Sequence, residues 1–83
     1  MTPSQALAPP RNASEAAFDG RRDGDYPYWA ATATNATMEA DARRNVANFA
    51  GLRRLSHKAQ EAYVTAYVTA ACATRDRQAR KGY

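Results

Sequence analysis

A long segment without glycine or proline, residues 52–81, most constrains what this chain can fold into. At its centre, residues 62–70 read AYVTAYVTA, and a repeat of four fits both the period of a strand and the period of a helix. Strong helix formers flank the repeat on both sides, and no second segment of the chain offers a strand for it to pair with. The sequence therefore predicts one long helix, with Ser56 as its N-cap.

The repeat gives this predicted helix two apolar faces. Alanines recur at every fourth position along one face with tyrosines beside them, and Val64 and Val68 form a second face about a third of a turn away. Small residues at that spacing permit close backbone approach, so we expect an antiparallel helix pair or a homodimer formed across a two-fold axis. The predicted helix-packing or oligomer face consists of Ala62, Tyr63, Ala66, Tyr67 and Ala70.

The first half of the chain predicts shorter helices. Asn12 and Glu15 have the spacing of a capping box, so a first helix is expected to start at Asn12 and to weaken and end at Gly20 and Gly24. The Thr and Asn content of residues 32–37 favours a break before the next helix.

Residues 38–50 form an amphipathic segment with Gly51 as its expected stop. Its predicted apolar face carries Met38, Ala42, Val46, Phe49 and Leu52. These elements predict an all-α fold, a small three- to four-helix bundle with an extended N-terminal tail. The tail covers residues 1–11, where Pro9 and Pro10 block a helix, and a single helical domain covers residues 12–83.

The composition predicts a thin hydrophobic core and a chain that works by binding. Alanine supplies 20 residues, while Leu, Val and Phe together supply only 8 and Ile none, so burial contributes little per ordered residue. Small chains of this kind without a recognisable motif are typical of phage and mobile-element products, including anti-CRISPR inhibitors. We therefore expect a non-enzymatic accessory or inhibitor that docks on a larger protein or nucleoprotein complex.

The basic residues support a second hypothesis, an RNA- or ribosome-binding or DNA-binding factor. The net charge is +4, ten of the twelve cations are arginine, and several arginines occur in adjacent pairs. Arginine can bind phosphate bidentately, and aromatic rings can stack on unpaired bases. A helix-turn-helix around Gly51 stays open, although the last helix is long for a recognition helix. The predicted partner- or nucleic-acid-binding residues are Arg21, Arg22, Tyr28, Trp29, Arg43, Arg44, Arg53 and Arg54.

One local stretch resembles a known family. Residues 17–24 read AFDGRRDG and are followed by Pro27 and Tyr28, which resembles the front half of ribosome modulation factor and its small relatives. The resemblance implies a helix with spaced glycines that leads into a Pro-Tyr corner, and a second, aromatic helix that packs back on it. It also implies contacts with ribosomal RNA and protein through Arg21, Arg22 and Tyr28.

Catalytic and metal chemistry is not expected. His57 and Cys72 would lie about four turns apart on the long helix, roughly 22 Å at 1.5 Å per residue, so they cannot form a catalytic pair within it. One His and one Cys cannot build a zinc site alone, and we expect no cofactor. The single cysteine and the lack of an apolar leader or span predict a cytoplasmic protein without a membrane partner.

Overall fold

The computed structural model describes residues 9–26 and 29–80, and these residues form four helices and no strand. The helices are α1 (Ala13–Gly24), α2 (Asn35–Asn48), α3 (Ala50–Arg53) and α4 (His57–Arg80). The all-α prediction is confirmed, and AYVTAYVTA lies entirely within α4. Residues 1–8 of the predicted tail, together with Tyr28, fall outside the described residues.

Side-chain caps set the start of three helices. The Asn12 side chain accepts a hydrogen bond from the backbone N–H of Glu15 at 2.9 Å, while the Glu15 carboxylate accepts from the backbone N–H of Arg11 at 3.0 Å. Thr34 accepts from the N–H of Thr37 at 3.1 Å. The last cap is Ser56, whose hydroxyl accepts from an N–H in the first turn of α4 at 3.2 Å. Each cap satisfies a backbone donor that the helix itself leaves unpaired.

The second predicted helix ends differently from the expectation. Phe49 is extended (φ −96°, ψ 117°) and separates α2 from α3, while Gly51 lies inside α3 rather than stopping a helix. The N–H of Phe49 bonds Asn45 O at 2.9 Å, and the Phe49 carbonyl accepts from Leu52 and Arg53. The break therefore leaves no backbone group of Phe49 unpaired, and its half-buried side chain packs against the core.

Helix α4 is the central element of the described fold. Gly20 of α1 lies beside Tyr63 of α4, and Gly24 lies beside Tyr67. Because residue numbers increase in the same direction along both helices, α1 and α4 run parallel. Contacts with α2 run the other way, since Asn45 meets Tyr63 and Asn35 meets Cys72. The buried core is small and consists of Ala16, Met38, Ala42, Leu52, Ala59, Tyr63, Val64, Tyr67 and Ala71.

The closest helix contact differs from the predicted one, which was an antiparallel pair along the alanines of α4. A Cβ built on Gly20 would lie 3.1 Å from the backbone nitrogen of Tyr67, and one on Gly24 would lie 2.9 Å from the Tyr67 Cα. Both glycines are fully packed against the backbone of α4, where only a residue without a side chain fits. The small residues that permit close approach are on α1, and the pair is parallel.

Candidate binding surfaces

Tyr63 and Tyr67, predicted as helix-packing residues, connect α4 to both of its neighbours. The Tyr63 hydroxyl donates to Asp23 Oδ2 of α1 at 2.8 Å and accepts from Asn45 Nδ2 of α2 at 3.1 Å. The Tyr67 hydroxyl donates to Asp41 of α2. Burial raises the pKa of both phenols well above the usual value of a tyrosine. These side chains are structural links within the bundle.

Trp29, predicted to contact a partner or a base, is also used within the fold. Its indole N–H donates to the Gly24 carbonyl at the end of α1 at 3.1 Å. Its ring meets the Tyr67 ring edge to face, with centroids 6.4 Å apart, and the Tyr26 ring in the same manner at 6.2 Å. The contacts close the C-terminal end of α1 and leave the indole half-buried. Tyr28 lies outside the described residues.

Two of the three alanines of the repeat, Ala62 and Ala66, line an open groove. Ala62, Ala66 and Ala70 are all half-exposed, in contrast to the buried tyrosines beside them. A groove of about 510 Å³ runs between α1 and α4, which we call the α1/α4 groove. Its floor consists of small side chains, and the charged residues Arg21, Lys58 and Glu61 also line it. The floor residues are Ala13, Ala17, Ala62, Thr65, Ala66 and Thr69.

Every carboxylate side chain of this chain lies within 4.0 Å of an arginine. Six arginines pair with the eight acids, and Arg22 and Arg43 are each shared by two of them. The pairs are Arg11–Glu15, Arg22–Asp19, Arg22–Asp23, Arg43–Glu39, Arg43–Glu61, Arg44–Asp41, Arg75–Asp76 and Arg77–Asp25. Arg43 donates to both oxygens of Glu61, at 2.8 and 3.1 Å, and lowers the pKa of that carboxyl. Arg22, Arg43 and Arg44, all predicted to contact a partner, are thus engaged within the molecule.

The net positive charge is carried by other residues. Among the residues that the structure describes, five cations have no carboxylate within 4.0 Å: Arg21, Arg53, Arg54, Lys58 and Arg80. All five are exposed. The predicted arginines are therefore divided into an engaged group and a free group, and Arg21, Arg53 and Arg54 belong to the free group.

Three of the free cations lie within six residues of one another at the α3–α4 turn. The Gln60 side chain of α4 donates to the carbonyls of Leu52 at 3.3 Å and Arg53 at 3.1 Å, which fixes the end of α3 against the first turn of α4. Arg53 and Arg54 lie at the end of α3 and Lys58 lies in the first turn of α4, and we call these three residues the basic corner. Arg54 also lines a cleft between α1 and α3. Lys58 also lines the α1/α4 groove together with Arg21, so the positive surface continues onto α1.

A cleft of about 390 Å³ lies between α1 and α3. Phe49, Leu52 and Pro9 contribute apolar walls, and Asp19 and Asp23 line it from α1. Arg22 pairs with both carboxylates, at 3.3 and 3.4 Å. Burial raises the pKa of Asp19, while the neighbouring Arg22 acts in the opposite direction. One arginine thus pairs with two carboxylates in this cleft, and Arg54 lines the cleft as a second cation, with no carboxylate of the described residues within 4.0 Å.

The residues considered for catalysis lie apart. His57 is exposed at the start of α4, and the Cys72 sulfur contacts Asn35 Oδ1 at 3.2 Å and Met38 Sδ at 3.6 Å between α2 and α4. Within residues 9–26 and 29–80, no three His, Cys, Asp or Glu side chains are grouped as metal ligands would be. The helices of that same part of the chain are not long and apolar enough to cross a membrane.

We compared the chain with known protein families, curated proteins and solved structures. No protein family, curated protein or solved structure matches this chain. The spaced glycines of α1 do pack against the tyrosine-bearing helix, which is the arrangement that the resemblance to ribosome modulation factor implies. Membership of that family stays a prediction, because no match tests it.

Proposed function

We propose that this chain is a non-enzymatic binding protein that docks on a larger protein or nucleoprotein assembly. The observation that supports this proposal is the α1/α4 groove, a helix face that the described part of the fold leaves uncovered. The alanines that the repeat places on this face are half-exposed, although their spacing is that of a helix-packing surface. The element that packs on them is supplied by the partner.

The shape and charge of the groove favour an acidic helix as the docked element. Small side chains on two parallel helices allow a third helix to approach closely, as ridges pack into grooves. Arg21 and Lys58 line the groove without a carboxylate partner in the described residues, whereas Glu61 is already bound by Arg43. A second copy of the same face would bring like charges together, so a homodimer through this groove is disfavoured.

Inhibition of an assembly is one form that such docking takes. An inhibitor needs to occupy a surface that the assembly uses, and it needs no reacting group of its own. A phage or mobile-element inhibitor of the anti-CRISPR type fits this description. The expectation from composition and the uncovered groove thus support the same class of function, a binding protein with a protein target.

The test is a pull-down from lysate of the source cell, with and without nuclease treatment. Wild type is compared with Ala66→Gln, which places a longer polar side chain in the floor of the groove, and with Ala40→Gln. Ala40 is exposed on α2, away from the groove, so it is a matched control for the same substitution. We expect wild type and Ala40→Gln to retain the same proteins and Ala66→Gln to lose them, with or without nuclease.

Circular dichroism of all three proteins ensures that the loss is not a loss of fold. If Ala66→Gln retains the same proteins as wild type, the groove is not the docking surface and the proposal is wrong. If nuclease removes all retained proteins from wild type, the protein contact is indirect.

The alternative, an RNA-, ribosome- or DNA-binding factor that uses paired arginines, is favoured by a separate observation. The adjacent pair Arg53-Arg54 is exposed and has no carboxylate partner in the described residues, unlike the pair Arg43-Arg44. Free guanidinium groups of this kind can bind phosphate.

A further inference from the structure

We infer that the basic corner binds the phosphate backbone of a double-stranded nucleic acid without reading its sequence. This inference rests on the nucleic-acid-binding alternative and names its ligand chemistry and its residues. It does not depend on the α1/α4 groove as a protein-docking surface. The ligand surface consists of Arg53, Arg54 and Lys58, extended by Arg21 on α1.

The first step is the distribution of charge. All eight carboxylates are paired with six arginines, so this paired set has no excess positive charge and the positive charge of the described residues is carried by the free cations. Four of the five described free cations lie at the basic corner or on the adjoining face of α1. Arg80 is separate, about 33 Å from Lys58 along the helix at 1.5 Å per residue. Among the described residues, four of the five free cations thus lie at or beside the α3–α4 turn, and one lies at the far end of α4.

The second step is the chemistry of the corner, which suits phosphate better than a protein surface. Protein interfaces depend on a few apolar or aromatic anchors buried at their centre. At this corner the neighbouring Leu52 is buried in the core and Leu55 is half-buried against it, while the exposed residues are polar or charged: Arg53, Arg54, Ser56, His57 and Lys58. Interfaces with nucleic acid are more polar and more positively charged. A closely spaced series of phosphates is the ligand that can contact several free cations at once.

The third step explains why binding should ignore sequence. Base reading needs side chains with fixed donors and acceptors in a groove, or exposed rings that stack. Trp29, Tyr63 and Tyr67 are used inside the bundle, through bonds to Gly24, Asp23 and Asp41. The exposed rings of Phe18 and Tyr26 are not part of the basic corner and do not line the α1/α4 groove. The long guanidinium and ammonium side chains of the corner can bind phosphate oxygens, which are the same at every base pair.

The experiment measures binding to a fluorescein-labelled DNA duplex of about 20 base pairs, by anisotropy, between roughly 50 and 200 mM salt. With four cations involved, log K should fall with log salt at a slope of about −3 to −4. The double variant Arg53→Gln/Arg54→Gln should reduce that slope by about 2 and weaken binding roughly tenfold or more at the lowest salt. Arg53→Lys/Arg54→Lys, which keeps both charges, should retain the slope.

The matched control is Arg43→Gln/Arg44→Gln. It removes the same two charges from another adjacent arginine pair, one that is engaged with Glu39, Glu61 and Asp41. We expect the control to change the salt slope by less than about half a unit, because these arginines are not released to the ligand. Circular dichroism and thermal unfolding show that each variant is folded. If both double variants lose the same slope, net charge explains binding and the inference is wrong.

Three further arms decide the ligand. An RNA duplex and a second DNA duplex of unrelated sequence should bind within about threefold of the first, since the contacts are to phosphates. Tighter binding to one DNA sequence would overturn the sequence independence. A poly-glutamate chain of equal charge should bind at least about tenfold more weakly, because carboxylates on a flexible chain are not held in a fixed series. Equal binding would overturn the assignment to nucleic acid.

The groove variant Ala66→Gln separates this inference from the proposed protein docking. It should leave duplex binding within about twofold of wild type, since the cations remain in place. In this variant, loss of duplex binding would contradict the basic corner, and retention of the pulled-down proteins would contradict the groove. Unchanged duplex binding with a lost pull-down would support both.

Discussion

Two faces of α4 that are one residue apart in the repeat are packed in opposite ways. Tyr63 and Tyr67 are 0% and 3% exposed, and their backbone atoms are packed against Gly20 and Gly24 of α1. Ala62 and Ala66, one position earlier in each repeat, are half-exposed in the α1/α4 groove. The large residues thus form the close face and the small ones the open face. Close approach needs a small residue on only one of two helices, and here it is on α1.

The tyrosines can occupy the face of α4 that contacts α1 because their side chains extend past the glycines of α1 instead of lying between the two helices. The glycines of α1 contact the peptide carbonyls of Tyr63 and Tyr67, and the phenol groups extend past them to Asp23, Asn45 and Asp41. One side chain then contributes both apolar burial and a hydrogen bond between helices. A chain poor in Leu, Val and Ile obtains much of its core from two such residues.

The largest effect is expected from substitutions that disrupt the close contact between α1 and α4. Gly20→Ala or Gly24→Ala places a Cβ within 3.1 Å of backbone atoms of α4, which belong to a helix that cannot move locally. Alanine is the better helix former by about 1 kcal/mol, so propensity alone predicts stabilisation. We expect instead a loss of about 3 kcal/mol or more in the free energy of unfolding, because the two helices must separate. Urea unfolding measures it.

Gly51→Ala is the control for this substitution. Its Cβ would lie 2.6 Å from the Cβ of Pro9, a single side chain of the exposed N-terminal segment, instead of a helix backbone. A loss below about 1.5 kcal/mol is expected, since that segment can shift. Equal stability of wild type and Gly24→Ala would show that the close contact does not exist.

Local features of this fold could be predicted from the helix patterns in the sequence, whereas the pairing of faces could not be derived from those patterns. Only the resemblance to ribosome modulation factor implies that a helix with spaced glycines packs against an aromatic one. The caps at Asn12 and Ser56 and the continuity of α4 depend on neighbours within a few residues. The contact of α1 with the tyrosines depends on which helix lies opposite. As local signals, Gly20 and Gly24 predict only that the first helix weakens and ends. The missed signal is the spacing of Ala16, Gly20 and Gly24, which puts three small residues on one helix face.

The same distinction applies to the candidate surfaces. The pairs Arg11–Glu15 and Arg43–Glu39 follow from i,i+4 spacing, and a search for such spacing could have identified these arginines as engaged. The bond of Arg43 to Glu61 joins residues 18 positions apart and needs the fold. The free state of Arg53 and Arg54 likewise depends on where every carboxylate of the chain lies.

A smaller effect is expected when the hydroxyl of Tyr63 is removed, and it tests the role of the phenol groups. Tyr63→Phe keeps the ring and removes the hydroxyl that joins Asp23 to Asn45. We expect a loss of about 1 to 3 kcal/mol in the free energy of unfolding at neutral pH, because two partly buried polar groups lose a partner. Denaturant unfolding with unchanged m-value checks this cost.

The pH dependence of that variant supplies its control. Burial raises the pKa of Tyr63 above the value of about 10 that the unfolded chain has. Above pH 10 the unfolded chain loses the phenol proton while the folded chain keeps it, so stability falls as the pH rises. Tyr63→Phe should show a shallower fall, by up to about 1.4 kcal/mol per pH unit. The same slope in both proteins would mean that Tyr63 is not buried.

The smallest expected effect concerns the open face, and it compares Ala66→Leu with Ala71→Leu. Both alanines lie in α4, but Ala71 is 0% exposed and Ala66 is half-exposed over the α1/α4 groove. Leucine at Ala71 should cost about 1 to 3 kcal/mol through overpacking, whereas leucine at Ala66 should change the free energy of unfolding by less than about 0.5 kcal/mol. Urea unfolding of the isolated chain measures both. If Ala66→Leu costs as much as Ala71→Leu, some part of the chain or a second copy already covers the groove in solution. Sedimentation at tens of micromolar then distinguishes these two, and a retained monomer would assign the cover to the chain itself.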